Sequence, residues 1–316
     1  MYKKTKVISI DHGNRNIKTT KHVFPASYVE SGYLPSFGAD TLMYNETEYT
    51  LVDRRMPQKT DKTVDDTYFI LTLFAIGKEL SGNMDMPLSE YTEIELLVGL
   101  PPLHCKKMGA KFSNYFDNKM VRFEFNKIPF FVGIKAVYVF PQAYAAAFTI
   151  HERVKDSRTV NIVDIGGYTV DCLQLVDFQP NMDICTSLYN GVNTLFKRVN
   201  ESIRAEGGKD IPDMSIEGIL LNDERTIKDS PHERVGFVKS VAKQHALDVL
   251  MEVSDKGINL TENATVFIGG GSLLLREDIE KSGMVKNPLF VENVNANADG
   301  YQLLYKLRKA KSELSA

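Results

Sequence analysis

Two strand–turn–strand segments with the same Asp-x-Gly spacing constrain the fold of this chain more than any other feature. The longer one, NIVDIGGYTVD at 161–171, has a β-branched run that Asp164, Gly166 and Gly167 interrupt before β-branched residues resume. This pattern predicts a strand, a tight turn and a returning strand. Adjacent glycines let the backbone approach a ligand closely, and an aspartate at a strand end can hold a metal through water. An isolated example is more often an ordinary glycine turn, so a second copy matters.

The second copy lies near the N-terminus, where a predicted strand runs into Asp11-x-Gly13. Lys18 follows on the predicted returning strand, which would bring its ammonium back to the turn where a phosphate would lie. The alternative for Lys18 is a solvated lysine on an edge strand. Asn14 and Asn16 are natural turn residues whose amides can also hold phosphate oxygens. The repeated pattern therefore favours a phosphate-binding role for both hairpins.

A third glycine turn comes late in the chain. A predicted strand over 264–268 leads into Gly269, Gly270, Gly271 and Ser272, followed by a predicted helix. A strand, a glycine turn and a helix N-terminus can bind an anion or a nucleotide through backbone N–H groups. The sequence GGGS does not fit G-x-G-x-x-G, which disfavours a dinucleotide-binding dehydrogenase.

Gln142 lies where a predicted strand over 135–140 passes into a helix predicted over 143–154. At such a junction its amide could orient a water for attack on a phosphate. A capping or solvated glutamine is the alternative. Elsewhere we predict a small β-rich insertion over about 24–62, a long amphipathic helix over 231–256, and a turn over 295–300 before a terminal helix.

Size and charge narrow the class of protein. A chain of 316 residues exceeds the usual size of a single core, so two domains are expected. With 38 basic and 41 acidic residues, the net charge of -3 provides no large positive field for nucleic acid or anionic lipid. We therefore predict no direct nucleic-acid or membrane partner, and any DNA would need an adaptor protein.

Cysteine usage and hydropathy predict a cytoplasmic protein. Cys105, Cys172 and Cys185 lack metal-ligand spacing, which suits reduced thiols in a cytosol, and we assign them no catalytic role. The longest apolar stretches are too short to cross a bilayer.

The three glycine turns, in this order and spread over nearly the whole chain, resemble the actin-type ATPase superfamily. The resemblance implies an α/β fold of two related domains, each with a mixed sheet flanked by helices, and a nucleotide in the cleft between them. It implies that domain I comprises 1–142 plus 299–316, with the insertion, and that domain II comprises 143–298.

The resemblance also implies roles for individual residues. Asp11 and Asp164 would hold Mg²⁺ through water, Lys18 would contact the β- and γ-phosphates, and Gln142 would position the attacking water. Glu217 would contribute to the adenine pocket. The other implied nucleotide-binding residues lie in the three turns: Gly13, Asn14, Asn16, Gly166, Gly167, Tyr168, Thr169, Gly269, Gly270, Gly271 and Ser272.

Within the superfamily, the segments TYFILTLFAIGKEL, LLVGLPP and VFIGGGSLLL look most like the ParM-type plasmid-segregation actins. Such proteins often have glutamate where this chain has Gln142, which leaves the water-orienting role open. The implied function is an ATPase, using ATP or GTP, that polymerises into dynamic filaments and moves plasmid DNA through an adaptor.

Two other classes of function are open to the same sequence. A small-molecule kinase of this superfamily would need a catalytic Asp at the first connection, where this chain has Gln142. A cell-division or chaperone-type scaffold would need a membrane anchor or a substrate-binding domain.

Overall fold

A computed structural model describes residues 5–30, 38–54, 59, 61–81 and 91–314. The chain forms two compact units, one comprising Met1–Thr149 with Asn295–Ala316 and the other Ile150–Val294. The two domains predicted from the sequence, with boundaries at 142/143 and 298/299, stay a prediction. Across the described ranges, the helices are all too short or too polar to span a membrane.

The first unit is built on a mixed sheet of nine described strands. They are β1 (Lys6–His12), β2 (Asn16–Lys18), β3 (Val23–Pro25), β4 (Tyr28–Glu30), β5 (Thr41–Tyr44), β6 (Thr47–Leu51), β7 (Tyr91–Leu100), β8 (Met120–Phe125) and β9 (Ile128–Pro141). Their order across the sheet is β3-β2-β1-β7-β9-β8-β5-β6-β4. The central strands β1, β7 and β9 are parallel, whereas β2 returns antiparallel to β1. The Asp11 turn therefore follows one of the central strands.

The predicted insertion over 24–62 is not a separate layer, because its described strands join this sheet. Strand β3 extends the first hairpin by pairing with β2, and β5 pairs with β8 to carry β6 and β4 at the far edge. Residues 31–37, 55–58 and 60 of the predicted insertion lie outside the described part of the chain.

Among the described residues of the first unit, four segments are helical: α1 (Thr67–Ser81), α2 (Pro102–Phe116), α3 (Tyr144–Phe148) and α11 (Ala296–Leu314). Helix α1 is apolar on nearly all sides and is buried over most of its length, as such a helix must be. Its side chains form the unit's core together with apolar residues of β1, β7 and β9.

The turn predicted over 295–300 and the single helix predicted over 143–154 were both wrong, and close packing explains the first error. The stretch 295–300 is not a turn, because α11 already begins at Ala296. A Cβ on Gly300 would lie 2.0 Å from the Ala145 carbonyl oxygen, so only glycine lets this first helical turn approach α3. The helix predicted over 143–154 is broken, since Ile150 leaves the helical region at φ −117° and ψ 20°.

The second unit has a five-stranded mixed sheet in the order β12-β11-β10-β13-β14. The strands are β10 (Thr159–Ile165), β11 (Val170–Val176), β12 (Gln179–Leu188), β13 (Ala264–Ile268) and β14 (Leu289–Phe290). The helices are α4 (His151–Val154), α5 (Val192–Ala205), α6 (Asp213–Leu220), α7 (Glu224–Asp229), α8 (His232–Asp255), α9 (Gly270–Leu274) and α10 (Arg276–Lys281). The long helix predicted over 231–256 is confirmed as α8, and its apolar face packs into the same core as β10 and β13.

Candidate functional site

The first hairpin places an acidic and a basic residue opposite each other. Asp11 at the end of β1 pairs in register with Lys18 on β2. The turn between them needs a glycine, because a Cβ on Gly13 would lie 2.5 Å from the Asn16 carbonyl oxygen. Asp11 is only 3% exposed, yet within the described residues no Lys or Arg forms an ion pair with it. Among the described residues, this buried carboxylate therefore has no basic side chain as its partner.

Amide groups surround the Asp11 carboxylate instead. The Gln142 side chain donates from Nε2 to Asp11 Oδ1 at 2.6 Å. Asn297, in the first turn of α11, donates from Nδ2 to Asp11 Oδ2 over a longer 3.4 Å. The structure therefore brings together Asp11 and Gln142, two residues that the sequence singled out separately.

The backbone beside Gln142 is strained. Ala143 has φ 59° and ψ −54°, which a residue with a side chain rarely adopts. The Tyr144 N–H donates to the Gln142 carbonyl oxygen at 2.5 Å, which closes a γ-turn with positive φ. The Ala143 N–H is bonded to Asn297 Oδ1 at 2.9 Å. Strain of this kind persists where surrounding contacts hold it and is concentrated at functional sites.

A cluster of aromatic and basic side chains supports the first hairpin from within its unit. The His12 ring is fully buried, contacts Phe116 face to face at 5.5 Å, and bonds through Nε2 to Thr72 Oγ1 at 2.8 Å. Lys62, itself only 8% exposed, donates its ammonium to the His12 carbonyl. Burial, and then the Lys62 charge, hold the pKa of His12 well below its usual value, so the ring is neutral.

Contacts with α1 and β3 also hold the turn residues of the first hairpin in place. The Tyr68 hydroxyl, on α1, donates to Asn14 Oδ1 at 2.9 Å. Asn16 lies within β2, paired with Pro25 of β3. Both predicted asparagines therefore lie in the hairpin, and Asn14 is the one whose amide a neighbouring helix orients.

The second hairpin repeats the register of the first with different side chains. Asp164 and Asp171 are paired across β10 and β11, and the Gly166 N–H donates to the Thr169 carbonyl at 2.8 Å to close the turn. Thr169 in turn donates its hydroxyl to Asp171 at 3.1 Å. Gly167 occupies the centre of this turn.

The start of α5 supports the second hairpin through main-chain bonds. Three successive N–H groups donate to carbonyls of the turn: Gly191 to Tyr168 at 3.2 Å, Val192 to Gly166 at 3.0 Å, and Asn193 to Gly167 at 2.8 Å. A Cβ on Gly191 would lie 2.7 Å from the Gly166 and Gly167 carbonyl oxygens. Only glycine permits this approach, so the turn is fixed by backbone geometry.

The third glycine turn lies beside Asp164. Strand β13 is parallel to β10, which places Ile268 opposite Asp164. Gly269 then takes φ 86°, and a Cβ there would lie 2.4 Å from Asp164 Oδ1. Gly270 faces open space, whereas Ser272 is fully buried with its hydroxyl donating to the Ile268 carbonyl. The second and third predicted motifs thus meet within one unit.

Helix α8 carries His245 and Asp248, whose contacts with Arg198 of α5 were not predicted from the sequence. Arg198 donates to Asp248 at 2.6 Å and lies 3.3 Å from His245 Nδ1. His245 is fully buried beside the Asn190 backbone, immediately before Gly191. Burial, and then the Arg198 charge, lower its pKa to about 4, although Asp248 opposes this shift.

Glu217 and Cys172 are two further residues that the sequence analysis considered. Glu217 is carried by α6, whose neighbours Ile216 and Ile219 are buried in the unit's core, and its adenine-pocket role stays a prediction. Cys172 is buried, and burial raises the pKa of its thiol above the usual value.

Comparisons with known proteins agree with this fold. Residues 162–281 match the family described as archaeal actin homologue MreB-like, C-terminal. The crystal structure of the archaeal actin homologue Ta0583 has a TM-score of 0.74 at 16% identity, covering 95% of this chain and 99% of its own. The chain has an actin-type fold. The predicted resemblance to the actin-type superfamily and the predicted α/β fold with two mixed, helix-flanked sheets are therefore confirmed.

Further actin-type structures are similar to the same extent. Ta0583 in complex with ADP gives a TM-score of 0.73 at 17% identity, covering 95% of this chain and 99% of that one. A 15-stranded ParM filament from Clostridium botulinum gives 0.70 at 17% identity, covering 96% and 99%. Curated protein sequences contain no match to this chain.

Three contacts were not predicted from the sequence: those of Asn297, Lys62 and His245. Asn297 had a signal, because it lies in the small-residue stretch NANADG at 295–300, directly before the predicted terminal helix. Lys62 and His245 had none, since a lysine in a polar stretch and a histidine on a long helix are usually solvated.

Proposed function

We propose that this protein binds and hydrolyses ATP with Mg²⁺, and that it polymerises into dynamic filaments in the cytoplasm. The observation that carries the proposal is the buried Asp11 carboxylate, which lies opposite Lys18 but has amides as its partners. Leaving such a charge unpaired is costly, so a cation at this position is expected. A similar strand-end aspartate, Asp164, stands beside two glycine turns in the second unit.

The residues present suit a hydrated magnesium ion. Mg²⁺ keeps several waters and is usually held by one or two carboxylates together with substrate phosphates. Asp11 and Asp164 would supply those carboxylates. When bound, the ion would neutralise negative charge on the β- and γ-phosphates.

Groups of the chain itself would bind the phosphates and orient the attacking water. Lys18 would bind the phosphates as a point charge, and the backbone N–H groups of the Gly166 and Gly270 turns would donate to phosphate oxygens. Gln142 would orient the attacking water, since its amide is already fixed beside Asp11. Such a site works by positioning and electrostatics more than by covalent chemistry.

Filament formation and plasmid segregation are supported by similarity. ParM is a plasmid-segregation actin, and a ParM filament shares this fold over almost the whole chain. With a net charge of -3, this chain would reach DNA through an adaptor protein. We propose that its main partner is a second copy of itself.

The proposal is tested by sedimentation and electron microscopy of purified protein with ATP, a non-hydrolysable ATP analogue, GTP or no nucleotide. We expect pelletable filaments with ATP, longer-lived filaments with the analogue, and phosphate release that requires Mg²⁺. Protein that stays monomeric at high concentration under all four conditions would refute the filament part, and absence of phosphate release would refute the ATPase part.

A further inference from the structure

Asn297 touches both groups on which the proposed hydrolysis depends. Its Nδ2 donates to Asp11 Oδ2, and its Oδ1 accepts the Ala143 N–H. Ala143 directly follows Gln142, whose own amide donates to the other Asp11 oxygen. A single side chain, only 8% exposed, therefore joins the carboxylate to the backbone that carries Gln142.

The strained γ-turn makes this contact consequential. Ala143 has φ 59°, so the chain would relax to a more populated conformation if nothing held its N–H. Relaxation would rotate the peptide after Gln142 and move the Gln142 side chain away from Asp11. The Asn297 oxygen opposes this relaxation by bonding the Ala143 N–H.

The position of Asn297 is itself set by packing around it. Gly300 approaches the Ala145 backbone so closely that no Cβ fits, which fixes the first turn of α11 on α3. Asn297 is thus presented by a rigid element, as a residue that orients others must be.

We infer that Asn297 is a positioning residue that holds Gln142 and Asp11 in one arrangement for attack on the terminal phosphate. The inference rests on the proposed ATPase function and assigns this role to a residue outside the glycine turns. An amide is the suitable group because it offers a donor to the carboxylate and an acceptor to the N–H at once. An aliphatic side chain of similar size offers neither.

The first measurement uses Asn297→Leu and follows hydrolysis and binding separately. We expect the turnover rate at saturating ATP to fall roughly tenfold or more, because a small misplacement of a reacting group is costly, while the Kd for ATP changes less than twofold. Adding Asn297→Leu to Gln142→Ala should cause no further loss, since both changes remove the same arrangement. Asn297→Ala serves as a second variant that adds no branched group beside Asp11.

Ser9→Ala is the matched control. It removes a buried hydrogen bond to the same turn of α11 without touching Asp11 or Gln142. We expect it to lower the melting temperature by about as much as Asn297→Ala and to leave turnover unchanged. Equal loss of turnover in Ser9→Ala and Asn297→Ala would overturn the inference in favour of general destabilisation.

A second measurement needs no nucleotide and separates this inference from the proposed function. The side-chain amide resonances of Gln142, assigned by their loss in Gln142→Ala, should shift in Asn297→Leu and stay unchanged in Ser9→Ala. If the wild type hydrolyses no ATP, the proposed function fails, but these resonances still decide whether Asn297 positions Gln142. Unchanged resonances in both Asn297 variants would overturn the inference.

Discussion

The two Asp-x-Gly hairpins share a sequence pattern, but different parts of the chain hold them in place. The first is held by side chains, because amides from Gln142 and Asn297 meet Asp11 and the Lys62 ammonium meets the His12 carbonyl. The second is held by main chain, because consecutive N–H groups from 191–193 bond the carbonyls of its turn. Equivalent positions in the two hairpins should therefore respond differently to substitution.

The difference follows from what lies next to each turn. In the first unit the turn follows a central strand packed against α1 and α2, whose aromatic and polar side chains can reach it. In the second unit two glycine segments, at Gly191 and Gly269, bring other backbone against the turn. A side-chain contact can be weakened stepwise by substitution, whereas the close backbone contacts at Gly191 and Gly269 leave no room for any side chain.

The largest expected effect is the loss of phosphate release when either aspartate is replaced, and the loss should be similar in the two hairpins. Asp164→Ala should reduce Mg²⁺-dependent phosphate release by roughly 100-fold or more, because a metal-holding carboxylate contributes several kcal/mol to the transition state. Asp11→Ala should cause a loss of similar size. Steady-state phosphate release measures both, with Asp183→Ala, an exposed aspartate on β12, as the control. A loss confined to one hairpin would break the proposed equivalence.

His245, which is buried beside the Asn190 backbone near the second hairpin, should make the free energy of unfolding depend on pH. The pKa of His245 is lowered to about 4 in the folded protein, whereas an unfolded histidine titrates near pH 6.5. As pH falls from 6.5, the unfolded chain takes up a proton that folded His245 does not, so stability is lost progressively down to about pH 4. The loss from this one group should reach roughly 3 kcal/mol.

Urea denaturation at several pH values measures this effect. His245→Gln should reduce the dependence of unfolding free energy on pH between pH 6 and 5 by about one proton. His12, whose pKa is also held low by burial and by Lys62, contributes to the pH dependence of both proteins alike. An unaltered slope in His245→Gln would show that the folded histidine takes up its proton near the ordinary pH.

Much of both hairpins could be predicted, because their signals are local. Alternating β-branched residues and an Asp-x-Gly turn determine the strand ends, so Asp11 and Asp164 are found where the sequence placed them. Lys18 also lies on the predicted returning strand, whereas its exact pairing with Asp11 was not predicted.

The supports could not be predicted, because they depend on contacts between distant parts of the chain. The stretch NANADG has the composition of a turn, and it became helix only because Gly300 fits against Ala145. The γ-turn at Ala143 is likewise held by Asn297, far along the chain. The local sequence indicates neither contact, so the geometry around Gln142 is visible only in the folded structure.

A smaller effect should show that the second hairpin depends on backbone contact. Gly191→Ala would place a Cβ 2.7 Å from three backbone atoms of the turn, and these atoms cannot move aside as a flexible side chain could. Overpacking of this kind costs about 1–3 kcal/mol, and we expect it as lower stability together with weaker ATP binding. Gly236→Ala, in open space on α8, should instead be neutral or slightly stabilising. Melting curves and ATP titrations of the two variants distinguish a specific clash from a general effect of adding a methyl group.

The smallest effect should come from one side-chain support of the first hairpin. Tyr68→Phe removes the hydroxyl that donates to Asn14 but keeps the ring against His12. A single neutral hydrogen bond contributes about 1 kcal/mol, so ATP affinity should fall roughly fivefold with little change in turnover at saturation. Tyr115→Phe removes a hydroxyl that donates to the Asp65 carbonyl and accepts the Phe69 N–H, without a bond to Asn14, so it should lower stability without this change in affinity. If Tyr68→Phe weakened binding as much as Gly191→Ala, the first hairpin would be as intolerant as the second, and the distinction between side-chain and main-chain support would fail.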